Sequence, residues 1–135
     1  PPSNANNGER AGANSTTGGV FNGWISTQSM PQWLPVDFGQ MRSSTELDVF
    51  MVQDNYQNPA TPTLQMTNSL YTLNGCELQY WNGSSWVPLA GASNNNKVWV
   101  QFQFTPFSTT KIRVLTSASP DNYSRLTELE AWGPP

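Results

Sequence analysis

The sequence predicts an all-β chain folded as an antiparallel β-sandwich of the jelly-roll type. Three observations lead there. Apolar and polar residues alternate with a period of two in several short stretches, which is the pattern of a strand with one buried and one wet face. Turn-forming clusters separate these stretches. No segment carries an i, i+3, i+4, i+7 apolar stripe long enough for a helix.

The elements follow in order. Trp33–Phe38 and Thr45–Val52 read as the first strands, and Trp33, Leu34, Val36 and Phe38 as core residues of the former. Cys76–Trp81 and Trp86–Leu89 form a hairpin around Asn82-Gly83-Ser84-Ser85, whose Asn-Gly suits positive φ. Lys97–Phe104 is the clearest strand: Val98, Val100, Phe102 and Phe104 share one face, Gln101 and Gln103 the other. Trp99 sits on the wet side, placed to cover a neighbouring strand. Lys111–Leu115 repeats the pattern with Ile112 and Val114 inward, and Leu126–Trp132 closes the chain. Trp86, Trp132, Phe50, Tyr80, Phe104 and Phe107 are also expected in the core. Asn74-Gly75, Asn94-Asn95-Asn96 and Pro120-Asp121-Asn122 are the remaining turns. Two connections, Gly8–Gln32 and Gln53–Ser69, are longer than a link between strands needs, and such loops often carry function.

Composition narrows the chemistry. The 135 residues suit one domain, 1–135, and six Trp, six Phe and four Tyr supply a packed core. Charged residues are only 11%, whereas Asn, Gln, Ser and Thr number 50. There is no histidine, so imidazole relays and His-ligated zinc or iron are excluded. A net charge of −3 with six scattered cations argues against nucleic acid as a partner, and also against an anionic membrane surface. The single cysteine, Cys76, allows no internal disulfide and reads as a small buried apolar side chain. Pro1-Pro2 and Pro134-Pro135 suit linker junctions.

Several pieces then occur in a familiar order: Asn4-Ala5-Asn6-Asn7-Gly8-Glu9-Arg10, Trp24, Trp33-Leu34-Pro35-Val36-Asp37-Phe38-Gly39 and Leu47-Asp48-Val49-Phe50. Cys76-Glu77-Leu78-Gln79-Tyr80-Trp81-Asn82-Gly83, Lys111-Ile112-Arg113-Val114 and Ser124-Arg125-Leu126-Thr127-Glu128-Leu129-Glu130-Ala131-Trp132-Gly133 complete it. This succession resembles the discoidin domain, also called the coagulation-factor type C domain, and within it the bacterial galactose-binding-like carbohydrate-binding modules. The resemblance covers nearly the whole chain. It departs in two ways: the strand that normally precedes the Asn-Gly motif is absent, and the His-Arg pair many members use for sugar is missing, with Gln53 standing about where the Arg would fall.

The resemblance implies a structural calcium ion where the Asn-Gly loop meets the last strand. Calcium takes six to eight oxygens and needs no histidine. Asn7 and Glu128 would supply side chains, Asn4, Gly12 and Thr127 carbonyls, and Glu9 a further contribution; Asn7 in place of the usual Asp weakens the site. It also implies a glycan site on loops at one end of the sandwich. Candidates are Trp24, with Phe21-Asn22-Gly23 before it, Gln53, Asp54, Asn55 and Tyr56, and Asn122, Tyr123 and Arg125, preceded by Asp121. The repeated Asp-Asn-Tyr triplets pair a carboxylate and an amide with a ring, which suits a polyol.

The expectation is a non-catalytic, secreted or cell-surface module that binds a glycan or oligosaccharide within a larger protein. Adhesion to a protein partner is the alternative. Catalysis has one foothold, Glu128 and Glu130 about 7 Å apart on one strand face, a spacing inverting glycosidases use.

Overall fold

The computed structural model describes residues 2–13 and 22–134. Phe21 and the terminal Pro1 and Pro135 lie outside the described residues. A short 3-10 turn, Pro2–Asn6, precedes six strands: β1 (Trp24–Ile25), β2 (Gln32–Met51), β3 (Gly75–Trp81), β4 (Trp86–Ala92), β5 (Trp99–Ala118) and β6 (Arg125–Trp132). All pairings are antiparallel, in the order β1-β6-β2-β5-β3-β4.

Two long strands turn this one ladder into a sandwich. The last part of β2 pairs with β6 from Glu46 to Met51, and with β5 from Glu46 to Phe50, while its first part, Gln32–Asp37, pairs with the far end of β5 alone. That far end of β5 pairs in turn with β3, and β3 with β4. Register shifts between Asp37 and Arg42, and between Ser44 and Glu46, mark the corner where β2 passes from one layer to the other. Bulges bend strands in this way. Gly39, at φ 71°, takes a left-handed conformation at this corner. The expected strands Trp33–Phe38 and Thr45–Val52 are therefore two halves of one strand, as are Lys97–Phe104 and Lys111–Leu115, apart from Lys97 and Val98.

The inward residues of both layers meet in one buried cluster, among them Leu34, Leu47, Val49, Met51, Leu78, Ile112, Val114, Leu126 and Leu129. Val36, Phe38, Tyr80, Val100 and Phe104 pack against it. Ala5 of the 3-10 turn is also in the cluster, beside the Gln32–Asp37 edge that has only β5 as a neighbour. A cavity of about 140 Å³ lies between this turn and residues Leu34–Asp37. Pro35, which has no N–H to offer a ladder, is on that edge. No strand precedes β1 among the described residues.

Three aromatic residues depart from the core expected for them: Trp33, Trp132, and Trp86, whose ring stands on the outer face against Trp81 and Arg113. Trp33 is 52% exposed and Trp132 50%. Trp33 alternates with the inward Leu34 in the pleat, so period two overrides size there, whereas Trp132 ends β6, where Ala131 is exposed as well.

The opposite face of β2, β5 and β6 is covered by the loop after the 3-10 turn. Register sets Phe50 beside Trp99 and Glu128, and Asp48 beside Gln101 and Glu130. Trp99 does cover its neighbour: its ring lies 4.9 Å from that of Phe50 and its Nε1 donates to Asp48 Oδ1 at 2.8 Å. Arg10 crosses over this layer, its guanidinium 4.9 Å from the Phe50 ring and 5.3 Å from Trp99.

Candidate functional site

Three pieces of chain meet where β2 ends and β6 begins. Val52 follows the last residue of β2, Arg125 opens β6, and Ile25 of β1 is paired with Arg125. With Tyr56 and Tyr71 these residues line an open cavity of about 240 Å³.

Arg125 is its fixed point. Its guanidinium lies 5.0 Å from the Tyr71 ring and 4.8 Å from the Tyr123 ring. Nη1 donates to Asp121 at 3.0 Å to Oδ1 and 2.9 Å to Oδ2. The hydrogen bond from Arg125 holds the Asp121 carboxyl below its usual range, against the opposing effect of burial. Asn122 accommodates the turn at φ 63°, a conformation Asn tolerates better than most residues. Tyr56 stands edge-on to Tyr71 at 5.8 Å and remains 39% exposed. The result is an apolar, ring-walled recess with one oriented cation. It can receive the apolar face of a ring and present paired N–H donors to hydroxyl or carboxylate oxygens.

The remaining candidates build this end rather than line it. Gln53 is buried, and its amide both donates to Ala60 O at 2.7 Å and accepts from Ala60 N at 3.0 Å. It staples the loop shut and is not available to a ligand. Asp54 turns away to accept Ser69 N, Leu70 N and Ser69 Oγ. Burial alone would raise its pKa, but these hydrogen bonds carry it below the usual value. Asn55 donates to Asn58 O within its own turn. Trp24 packs against the hydrophobic cluster, opposite Leu126. Tyr56, Tyr123 and Arg125 are thus brought together, while Trp24, Gln53, Asp54, Asn55 and Asn122 act as supports. Sequence reasoning misses Ile25, Val52 and Tyr71. Alternation from an inward Trp24 points Ile25 outward; nothing comparable marks Tyr71.

The residues expected at a calcium site are close in space but already occupied. Glu128 Oε2 accepts Asn7 N at 3.0 Å and Oε1 accepts Gly8 N at 3.1 Å. Glu9 accepts Ala11 N at 3.0 Å, and Ala13 N, which closes a local turn. Asn7 Oδ1 accepts Glu9 N, and Thr127 Oγ1 donates to the carbonyl of Arg10 at 2.7 Å. Asn4 and Gly12 also have partners. Among the described residues no group of three His, Cys, Asp or Glu side chains is arranged to hold a metal ion. In this arrangement the side-chain oxygens of Asn7, Glu9 and Glu128 accept N–H groups of the opening loop. The Glu128–Glu130 pair is likewise committed: Arg10 takes both oxygens of Glu130, at 2.7 and 2.6 Å. Desolvation raises the Glu128 pKa, and its oxygens are held by the loop amides of Asn7 and Gly8.

No protein-family model and no curated protein matches this sequence. Solved structures do. The family 32 carbohydrate-binding module of NanJ from Clostridium perfringens, in complex with galactose, is 17% identical, with 97% of this chain and 83% of that one covered and a TM-score of 0.66. The chain has the fold of these carbohydrate-binding modules. The CpGH89CBM32-5 module from Clostridium perfringens, in complex with GalNAc-β-1,3-galactose, is 10% identical over 82% of this chain and 75% of that one, TM-score 0.62. Chitosan-binding module 2 from the chitosanase/glucanase of Paenibacillus sp. IK-5, in complex with chitotriose, is 16% identical over 82% and 77%, TM-score 0.62.

Proposed function

We propose that the chain is a non-catalytic glycan-binding module of a larger secreted or cell-surface protein, and that Tyr56, Tyr71, Tyr123 and Arg125 hold its ligand. The observation that carries this reading is the guanidinium of Arg125, oriented by two rings and a carboxylate beside an exposed tyrosine. A single shallow recess of this kind suits weak binding of a terminal or short-chain sugar, neutral or mildly acidic. The solved relatives bound to galactose, GalNAc-β-1,3-galactose and chitotriose support a glycan as ligand class. No helix among the described residues is long and apolar enough to cross a membrane.

A glycan array followed by titration calorimetry tests the proposal. A specific signal that disappears in Tyr56→Ala and Arg125→Ala, with melting curves preserved, is expected. A blank array combined with capture of a defined protein partner would favour adhesion instead.

Calcium enters this reading only as a weak ligand of the Asn7–Glu128 corner. The amide at Asn7 and the N–H groups already on Glu128 both lower its affinity. Millimolar calcium and excess chelator are expected to give melting temperatures within about 1–2 °C of each other, since a ligand stabilises only in proportion to its occupancy. A larger rise with calcium would restore a structural ion.

A further inference from the structure

The outer face of the layer formed by β2, β5, β3 and β4 carries a second cluster, remote in the register from the loop-end cavity. Leu34, Val36, Leu78, Ile112 and Val114 point into the core, so their neighbours Trp33, Asp37, Gln79, Lys111 and Arg113 point outward. Arg113 is central. It is the register partner of Pro35 on one side and Gln79 on the other. Its guanidinium lies 4.5 Å from the Trp86 ring and 5.6 Å from the Trp33 ring. Nε donates to Gln79 Oε1 at 2.6 Å, and Gln79 donates onward to Glu77 at 2.6 Å. Lys111 lies 5.5 Å from the Trp81 ring, which meets Trp86 edge-on at 5.4 Å.

We infer that this face is a second glycan site, taking a saccharide whose sugar rings carry carboxylates. In a chain of net charge −3, two of the six cations stand on this one face, where Asp37 and Glu77 accompany them. Arg113 has no ion-pair partner among the described residues, unlike Arg10 and Arg125, and Lys111 reaches Asp37 only at 4.0 Å. Glu77 touches Arg113 only through the Gln79 amide. A guanidinium held by two rings and one amide is pre-oriented, and its terminal nitrogens form the fork that matches a carboxylate.

Shape supplies the ligand class. Trp33 leaves half its surface to solvent, and Trp33 and Trp86 flank the fork on either side. A uronate offers an apolar ring face for an indole and a carboxylate for Arg113 within one rigid unit. An acidic peptide offers its carboxylates on flexible stems with no ring to stack. Both rings lie against the one guanidinium, at 5.6 and 4.5 Å, so their centroids are at most about 10 Å apart. The inference does not depend on the loop-end reading.

Affinity electrophoresis in gels containing polygalacturonate, the fully methyl-esterified polymer, or poly-glutamate tests it. The protein is expected to be retarded by polygalacturonate and about tenfold less by its ester, because esterification removes the charge-assisted bidentate bond. Arg113→Gln and Trp33→Ala should abolish retardation, and Arg113→Lys, which keeps the charge but loses the fork, should recover only part of it. Tyr56→Ala, which alters the loop-end recess alone, should keep most of it, which separates this face from the loop-end site. Melting curves establish that each variant folds. Equal retardation by poly-glutamate, equal retardation by the ester, loss of retardation in Tyr56→Ala, or no retardation at all would each overturn the inference.

Discussion

Arg10 and Glu130, 120 residues apart in sequence, form a two-point ion pair with Nε and Nη2 of the arginine on Oε1 and Oε2 of the glutamate. The same guanidinium covers Phe50 and Trp99, so one side chain ties the opening loop to β6 and roofs the outer face of β2 and β5. Glu130 in turn raises the Arg10 pKa through its hydrogen bond.

Replacing Arg10 should therefore cost more than an exposed ion pair. Arg10→Ala is expected to destabilise the fold by about 2 kcal/mol in urea titrations, the range for hydrogen bonds to charged groups plus a ring contact. Arg10→Lys should recover less than half, since a lysine cannot reproduce the fork. A loss below about 0.5 kcal/mol, the scale of a surface pair, would show that the roof is dispensable.

Asp48 leads to a stabilising substitution. Desolvation raises its pKa above the usual 3.8, despite the hydrogen bond from Trp99, and the neighbouring Glu46 pushes in the same direction. A carboxyl whose folded pKa is raised costs nothing below its unfolded pKa and progressively destabilises the fold as pH rises through the folded one. Asp48→Asn keeps an oxygen for Trp99 Nε1 and removes the buried charge. Its melting temperature at pH 7 should exceed that of the parent by a few degrees. The difference should shrink toward zero below pH 3.8; a gap independent of pH would rule out charge burial as its cause.

Asp54 behaves in the opposite sense. Its folded pKa is depressed below the usual 3.8, so the stability it contributes is fully present above that value and is lost as pH falls through the folded pKa. The amides of Ser69 and Leu70, which donate to its carboxylate, should lose hydrogen-exchange protection in that acid window before the strands do. Asp54→Ala should show the same local exposure at neutral pH. Protection of these amides unchanged by either acid or substitution would mean the loop is held by other contacts.

Cys76 should be chemically silent in the folded protein. Burial pushes its thiol pKa up to about 11, and the thiolate is the reactive species. Labelling with a thiol reagent at pH 8 should proceed only as fast as the chain unfolds, and should accelerate in step with the urea transition. Rapid labelling under native conditions would contradict the burial at 4% exposure.

How far the sequence carries the fold can be followed along β2. Alternation alone sorts Leu34, Val36 and Phe38 inward, and it also turns Trp33 outward. The size of Trp33 argues for burial, but the pleat wins because that layer's other face meets solvent. The union of the two halves of β2 is not legible, because residues 39–44 cross the corner with a polar, glycine-containing sequence that reads as a loop. At the candidate site, the aromatic content of the loops is visible, but the partner of Arg125 is not, since Asp54 and Asp121 are equal candidates until the structure pairs it with Asp121. Which member of Asp54-Asn55-Tyr56 faces the cavity is decided by bonds to residues 68–70. Sequence spacing carries no trace of contacts closed across a loop of that length.

The two corner-crossing strands also constrain how the chain can be made. Trp33 pairs with Leu115, so the first half of β2 has no ladder partner until roughly eighty further residues have been synthesised. Its other side meets no strand among the described residues. The nascent chain must therefore carry an unpaired, partly apolar strand through most of its synthesis, and contacts this distant in sequence close slowly. Neither layer can form in advance of the other, because β2 and β5 belong to both. Folding and unfolding are expected as one event, with no half-module left as a stable fragment.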